Sequence, residues 1–176
     1  MKAVFLDRDG TLIVDPPDLR VKSVDEIELF PDTLQALQEL VALDYEVFII
    51  TNQAGIGEGL IDEPAFQVIQ AEVLRQLEPS RVKILATYMC PHVPQDNCVC
   101  RKPKPTMLLQ AAQDFDIDMS QSWMIGDNQS DVMAGLSAGT KTILVQTGNN
   151  PVISPEANYT APHLLNAVRY IAAGTI

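Results

Sequence analysis

The sequence predicts an α/β fold, a doubly wound, Rossmann-like parallel sheet with helices on both faces. Three observations predict it. Apolar runs too short for helices recur along the chain and alternate with longer stretches whose apolar residues repeat at helical spacing. Several of these runs stop abruptly at polar residues and glycine, as strands do when they feed loops at the carboxyl edge of a parallel sheet. A chain of 176 residues is also enough for one core without staples, so residues 1–176 are expected to form a single domain.

The elements follow in order. Val4-Phe5-Leu6 ends in Asp7-Arg8-Asp9-Gly10-Thr11 and reads as a buried strand running into an active-site loop. Side chains two apart in extended chain share a face, so Asp7 and Asp9 are expected to face one substrate while Arg8 points elsewhere. Residues 12–30 hold Pro16, Pro17 and the acids Asp15, Asp18, Asp25, Glu26 and Glu28, and are expected to be a loop with little regular structure. Pro31-Asp32 opens an amphipathic helix to about residue 43, with Leu34, Leu37, Leu40 and Val41 on its inner face. Residues 46–51 form a second buried strand ending in Thr51-Asn52-Gln53, with a glycine-rich turn behind it.

Glu63-Pro64 starts a second helix that Pro79 closes. Residues 82–89 are a third strand leading to Cys90-Pro91-His92, and Pro105 opens a third helix through residue 115. Residues 122–125 are a fourth strand, running into Gly126-Asp127-Asn128-Gln129-Ser130-Asp131. A short helix at 132–138, a fifth strand at 142–145, an irregular stretch at 148–162 and a last helix at 162–173 complete the pattern. Right-handed crossovers would bring Asp7, Thr51 and Asp127 to one carboxyl edge, where such sheets bind ligands.

Composition narrows the function classes. A net charge of −11 disfavours nucleic acid and anionic membrane as partners, since both call for basic patches. No apolar run approaches the roughly 18 residues of a membrane span, and Met1-Lys2 leads straight into the first strand without a signal-peptide pattern. A cytoplasmic protein is expected. Cys90, Cys98 and Cys100 are all the cysteines, bunched in one proline-punctuated loop with His92. Three thiols and one imidazole make a closed four-ligand set of the kind that holds structural Zn2+. That reading is preferred over buried free cysteines or a strained Cys98–Cys100 disulfide. The loop runs directly into Arg101-Lys102-Pro103-Lys104, so the metal would position two cations rather than catalyse.

Taken together, Asp7-Arg8-Asp9-Gly10-Thr11, Thr51-Asn52, Lys102, and Gly126-Asp127 with Asp131 resemble the four motifs of the haloacid dehalogenase superfamily, in its phosphatase branch. The resemblance implies a Mg2+-dependent phosphomonoesterase working through an aspartyl phosphate. Asp7 would be the nucleophile and Asp9 the general acid and base. Mg2+ would take the Asp7 carboxylate, the Asp9 main-chain carbonyl and the Asp127 carboxylate, with Asp131 in support. Thr51 and Lys102 would stabilise the phosphoryl oxygens. The second acid of the first motif separates ester hydrolysis from dehalogenation. Asn128 departs from the basic residue that near relatives often carry after the metal-binding Asp.

The zinc loop joined to Arg-Lys-Pro narrows the resemblance to the D-glycero-D-manno-heptose 1,7-bisphosphate 7-phosphatases and, as the alternative, the histidinol-phosphate phosphatases. The segment Thr51-Asn52-Gln53-Ala54-Gly55-Ile56 favours the first and the short interval from His92 to Cys98 the second. No segment is long enough for a separate lid, so the site is expected to be capless and walled by loops, with Asp15, Asp18, Asn52, Gln53 and Arg101 as substrate contacts. The expected partner is a small-molecule phosphate ester bound by a monomer. A phospho-Asp signalling module is the remote alternative, and it offers no reason for the zinc loop. A nucleic-acid 3′-end phosphatase would need a basic track that the chain lacks.

Overall fold

A computed structural model describes residues 1–174. Six parallel strands form one sheet in the order β3-β2-β1-β4-β5-β6, where β1 is Ala3–Leu6, β2 Glu46–Asn52, β3 Ile84–Cys90, β4 Trp123–Gly126, β5 Lys141–Val145 and β6 Tyr159–Ala161. The helices are α1 (Thr33–Val41), the single turn α2 (Ala54–Gly57), α3 (Glu63–Leu77), α4 (Thr106–Phe115), α5 (Gln129–Ala138) and α6 (Leu164–Ala173). The doubly wound α/β expectation holds.

Strand alternation divides the core in two. Val4 and Leu6 of β1, Val47 and Ile49 of β2 and Ile125 of β4 face one side, where Leu37 and Leu40 of α1, Ile69 and Val73 of α3, and Ala167 and Ile171 of α6 cover them. Ala3, Phe5, Phe48, Ile50 and Met124 face the other, against Leu108 and Ala111 of α4 and Ala134 of α5. Central strands buried on both faces need apolar residues at every position, and their runs are continuous rather than alternating for that reason. Phe48 stands 5.5 Å from Phe5 and meets Phe115 edge-on at 5.0 Å, tying α4 to the sheet centre.

Two elements depart from the sequence reading. The stretch expected to be irregular, 148–162, contains β6, an edge strand pairing Ile143 with Tyr159 and Val145 with Ala161. Three residues carry too little period-two signal to stand out, and the pairing with β5 creates the strand. The glycine-rich turn after β2 also forms α2, where Gly57 N–H donates to Pro91 O at 2.8 Å and leaves no room for a side chain. Residues 12–30 are largely irregular as expected, with one 3-10 turn at Val24–Glu26 and bridges from Ile13 to Asp9 and Leu29.

The strand order places the switch point between β1 and β4, from which the crossovers run in opposite directions. Crevices at such points hold ligands in α/β sheets. Register does the rest: Leu6 pairs with both Ile49 and Ile125, so the next residues of β1 and β4 emerge side by side.

Candidate active site

Asp7 follows β1 directly, and its N–H donates to Ile125 O at 2.9 Å, which extends the ladder one step. Asp127 follows β4, and α5 begins just beyond. Asn128 caps that helix, its Oδ1 accepting from Ser130 N at 3.1 Å, while its own N–H donates to Asp131 Oδ2 at 3.0 Å. This reciprocal box turns Asp131 inward, 1% exposed. It also gives Asn128 a structural task that a basic residue could not perform.

Three glycines make the crowding possible, Gly148 among them, where a Cβ would meet Asp127 Oδ2 at 2.1 Å. Gly10 has φ +77°, and a Cβ there would meet the Asp127 carboxylate at 2.6 Å. A Cβ on Gly126 would meet the Asp131 carboxylate at 2.3 Å.

Asp7, Asp127 and Asp131 each bring a carboxylate oxygen to within 4.8 Å of the others. Among the described residues their one cationic neighbour is Lys102, 3% exposed, from the loop after β3. Its Nζ lies 2.9 Å from Asp7 Oδ1 and 2.6 Å from Asp131 Oδ1, and it donates to Ile50 O at 2.8 Å. Asn52 at the end of β2 clasps the Lys102 backbone from both sides, accepting from its N–H at 3.1 Å and donating to its O at 3.2 Å. Against the burial that would lower it, Asp131 and Asp7 hold the Lys102 ammonium above the usual lysine range.

Three acids against one ammonium leave an uncompensated charge of two. Burial first, then Asp131, pushes Asp7 up to about 7, and burial, then Asp7 and Asp131, pushes Asp127 up to about 9. A hard divalent cation with oxygen ligands fits this excess in charge and donor type, which is the chemistry of Mg2+. A carboxyl raised in the folded state contributes stability below its unfolded value and loses it as pH rises through the folded one. The metal-free protein is therefore expected to lose stability from about pH 4 through the range of 7 to 9 set by these two groups. The Tm gained on adding Mg2+ should grow over the same interval, and a gain constant from pH 5 to pH 9 by calorimetry would contradict this balance.

Asp7 and Asp9 face one cavity and Arg8 points elsewhere, as expected, although the strand itself ends at Leu6. Arg8 is fully buried, and its guanidinium holds the Asp9 carboxylate at 3.0–3.2 Å. Asp7 and Asp9 line this cavity, of about 300 Å3, with Asp15, Leu19, Asn52, Arg101, Lys102, Asp127, Asn128, Ser130 and Asn150. Thr147 Oγ1 donates to Gly10 O at 2.6 Å, and Asn149 Nδ2 donates to Asp15 O at 3.1 Å, closing one wall. Burial raises the Asp15 carboxyl above its ordinary range.

The other expected site residues divide. Asn52, Asp15 and Arg101 line the cavity. Asp18 does not; it is exposed and paired with Lys22, and the neighbouring Leu19, at positive φ, takes the lining position. Gln53 is 6% exposed and absent from the lining, because its amide is used by Asp9, Thr51 and Arg8. Thr51 is buried with its hydroxyl accepting from Gln53 Nε2 at 2.8 Å, behind the cavity lining rather than in it. Leu19, Ser130 and Asn150 were missed, since loops that meet only in three dimensions leave no mark at any sequence spacing.

The cysteine cluster forms beside this wall. Cys90 Sγ lies 3.0 Å from Cys100 Sγ and 3.6 Å from Cys98 Sγ, and the last two are 3.6 Å apart. His92 Nδ1 stands 3.6 Å from Cys90 Sγ and 3.3 Å from Cys100 Sγ. Thiolates bound tetrahedrally at about 2.3 Å from Zn2+ stand roughly 3.8 Å apart, so a small expansion would turn this cluster into a zinc shell. All three thiols are free, with no disulfide. Arg101 Nη1 donates to His92 O at 3.0 Å, so the loop that holds the cluster also aims Arg101 into the cavity.

Comparison with known proteins agrees with this architecture. The HAD-hydrolase-like family model matches residues 99–169. The D-glycero-beta-D-manno-heptose-1,7-bisphosphate 7-phosphatase of Bordetella bronchiseptica is 40% identical over 149 residues, covering 85% of this chain and 83% of that one. The enzyme of the same name from Escherichia coli K12 is 38% identical over 175 residues, covering 94% and 89%. A crystal structure of D,D-heptose 1,7-bisphosphate phosphatase from B. bronchiseptica, complexed with magnesium and phosphate, superposes with a TM-score of 0.90 at 33% identity, covering 99% of each chain. With relatives of that identity aligned along most of its length, the chain belongs to the HAD-like hydrolases, in the family of the heptose bisphosphate phosphatases.

Proposed function

We propose that the protein is a Mg2+-dependent phosphomonoesterase that removes the 7-phosphate of D-glycero-β-D-manno-heptose 1,7-bisphosphate. The observation that carries this reading is the convergence of Asp7, Asp9, Asp127 and Lys102 on one polar cavity at the switch point of the sheet. The relatives named above supply the substrate class, a small phosphorylated sugar.

Phosphate monoesters are inert because their charge repels nucleophiles and their alkoxide leaves badly. Asp7 is held for attack by Arg8 N–H at 2.8 Å and Lys102 Nζ at 2.9 Å, both on Oδ1. Its attack forms an Asp7 O–P bond as the ester O–P bond breaks. Asp9 gives its proton to the departing sugar oxygen. Asp9 then takes a proton from the water that attacks phosphorus, and Asp7 is released as a carboxylate with inorganic phosphate. The Asp7 and Asp127 carboxylates and the Asp9 main-chain carbonyl, with Asp131 in support, would hold Mg2+, which would supply the charge that neutralises these acids and the phosphoryl oxygens. Lys102 adds a fixed positive charge to the same oxygens. Arg101, Asn52 and Asp15 line the cavity wall, and in this reading they meet the sugar hydroxyls and the second phosphate. Cys90, His92, Cys98 and Cys100 would hold Zn2+, which would fix the loop that carries Arg101 and Lys102.

The cavity is walled by loops of one chain, which supports a monomer acting alone. Reduced cysteines at a metal cluster suit the cytoplasm. Among the described residues no helix is long and apolar enough to cross a membrane. The acidic net charge of −11 offers nothing to a nucleic acid.

The test is phosphate release with Mg2+ from heptose 1,7-bisphosphate and from histidinol phosphate in parallel. We expect kcat/KM to favour the heptose ester by at least about 10²-fold, because polar groups placed for one substrate are left unpaired by the other. Equal values, or a preference for histidinol phosphate, would overturn the substrate assignment.

A further inference from the structure

Arg8 is the largest of the fully buried side chains among the described residues, and no step above uses its guanidinium. A guanidinium taken out of water costs several kcal/mol unless its donors are met. Here they are met by three side chains. Nε lies 3.2 Å from each Asp9 oxygen, and Nη2 lies 3.0 and 3.1 Å from the same pair. Nη2 also donates to Gln53 Oε1 at 3.0 Å, and Nη1 to Gln70 Oε1 at 3.3 Å. The ring of Phe66 on α3 lies 5.5 Å from Cζ. Gln70 is anchored in turn by donating to Thr87 Oγ1 on β3 at 3.1 Å. Gln53 Nε2 completes the frame, donating to Asp9 Oδ2 at 2.6 Å.

Asp9 is therefore gripped from behind by groups planted just after β2, on α3 and on β3, while its carboxylate still faces the cavity with 20% of the side chain exposed. An apolar residue of the same volume would fill the space beneath at less risk, since buried ion pairs seldom stabilise more than good packing. A forked guanidinium adds orientation, because two parallel N–H bonds fix a carboxylate plane as one ammonium cannot. Resting on the phosphatase reading above, we propose that Arg8 is a positioning residue. It acts through Asp9, orienting that carboxylate for proton transfer to the leaving oxygen and from the attacking water, with Gln70 holding Arg8 in place.

A misaimed proton donor matters most when the leaving oxygen needs the proton. The heptose ester leaves as an alkoxide, whereas p-nitrophenyl phosphate leaves as a stabilised phenolate. For Arg8→Met we expect kcat on heptose bisphosphate to fall about 10²-fold with KM little changed, the scale of a general acid–base contribution. The first-turnover burst of p-nitrophenolate should stay within about three-fold of wild type, followed by slow turnover as the aspartyl phosphate waits for its base. Gln70→Met should give the same pattern more weakly, and it decides the matter if Arg8→Met does not fold. A burst that falls by the same factor as alkyl turnover, or alkyl turnover that does not fall, would overturn the role of Arg8. A wild-type protein that hydrolyses neither ester would instead overturn the phosphatase reading, and this inference with it.

Discussion

Asp7→Asn is expected to lower kcat by at least about 10⁴-fold while leaving the fold intact. The amide is isosteric with the carboxylate but cannot form the acyl phosphate, so the covalent route closes. Stability should move the other way. Asp7 is one of three acids crowded around a single ammonium, and removing its charge relieves the repulsion that, after burial, pushes Asp127 up to about 9. In the absence of Mg2+ the variant should thus melt at or above the wild-type Tm at pH 8. An inactive variant that also melts lower would mean that Asp7 matters for folding rather than attack. Retained turnover would remove it from the mechanism.

Lys102→Met is expected to damage both stability and activity. The ammonium is buried against Asp7 and Asp131, each within 2.9 Å, and Met keeps the volume but strands both acids. Removing one partner of a buried pair costs about 3–5 kcal/mol, which corresponds to a Tm loss on the order of 10 °C for a chain of this size. The loss should be larger at pH 9 than at pH 5. At the lower pH, below the raised values of about 7 for Asp7 and about 9 for Asp127, protons already hold these carboxyls neutral. Loss of the phosphoryl contact should lower kcat by about 10³-fold, the scale of one preorganised charge at a developing oxyanion. A melting temperature within two degrees of wild type at both pH values, within the roughly 2–4 °C expected for 1 kcal/mol, would show that the clamp is not what holds these carboxylates.

Much of this was legible in the sequence, and the reasons are local. β1, β2 and β4 are buried on both faces, so their continuous apolar runs announce them, and their abrupt polar ends mark Asp7, Asn52 and Asp127. The zinc loop is legible because its ligands lie within eleven consecutive positions, Cys90 to Cys100. What could not be read arises from contacts between distant segments. β6 exists only through its pairing with β5. Gln53 looks like a substrate contact beside Thr51, until Arg8 and Asp9 are found to use its amide. Asp18 belongs to an acidic loop near the site, but its pairing with Lys22 leaves the cavity to Leu19. Arg8 is the sharpest case. The spacing says only that Arg8 points away from the substrate face, and the fold reveals what it points to: Gln70, 62 positions away.

The covalent step at Asp7 is the centre of the account, and trapping it is the most direct test. Asp9→Asn removes the base that hydrolyses the intermediate while leaving Asp7 free to attack an ester with a good leaving group. Mixed with p-nitrophenyl phosphate and Mg2+ and quenched in acid within one turnover, this variant should carry one phosphoryl group per chain. Peptide mass spectrometry should place it on Asp7. Release of p-nitrophenolate with no phosphorylated peptide, or phosphorylation at any other residue, would contradict the mechanism.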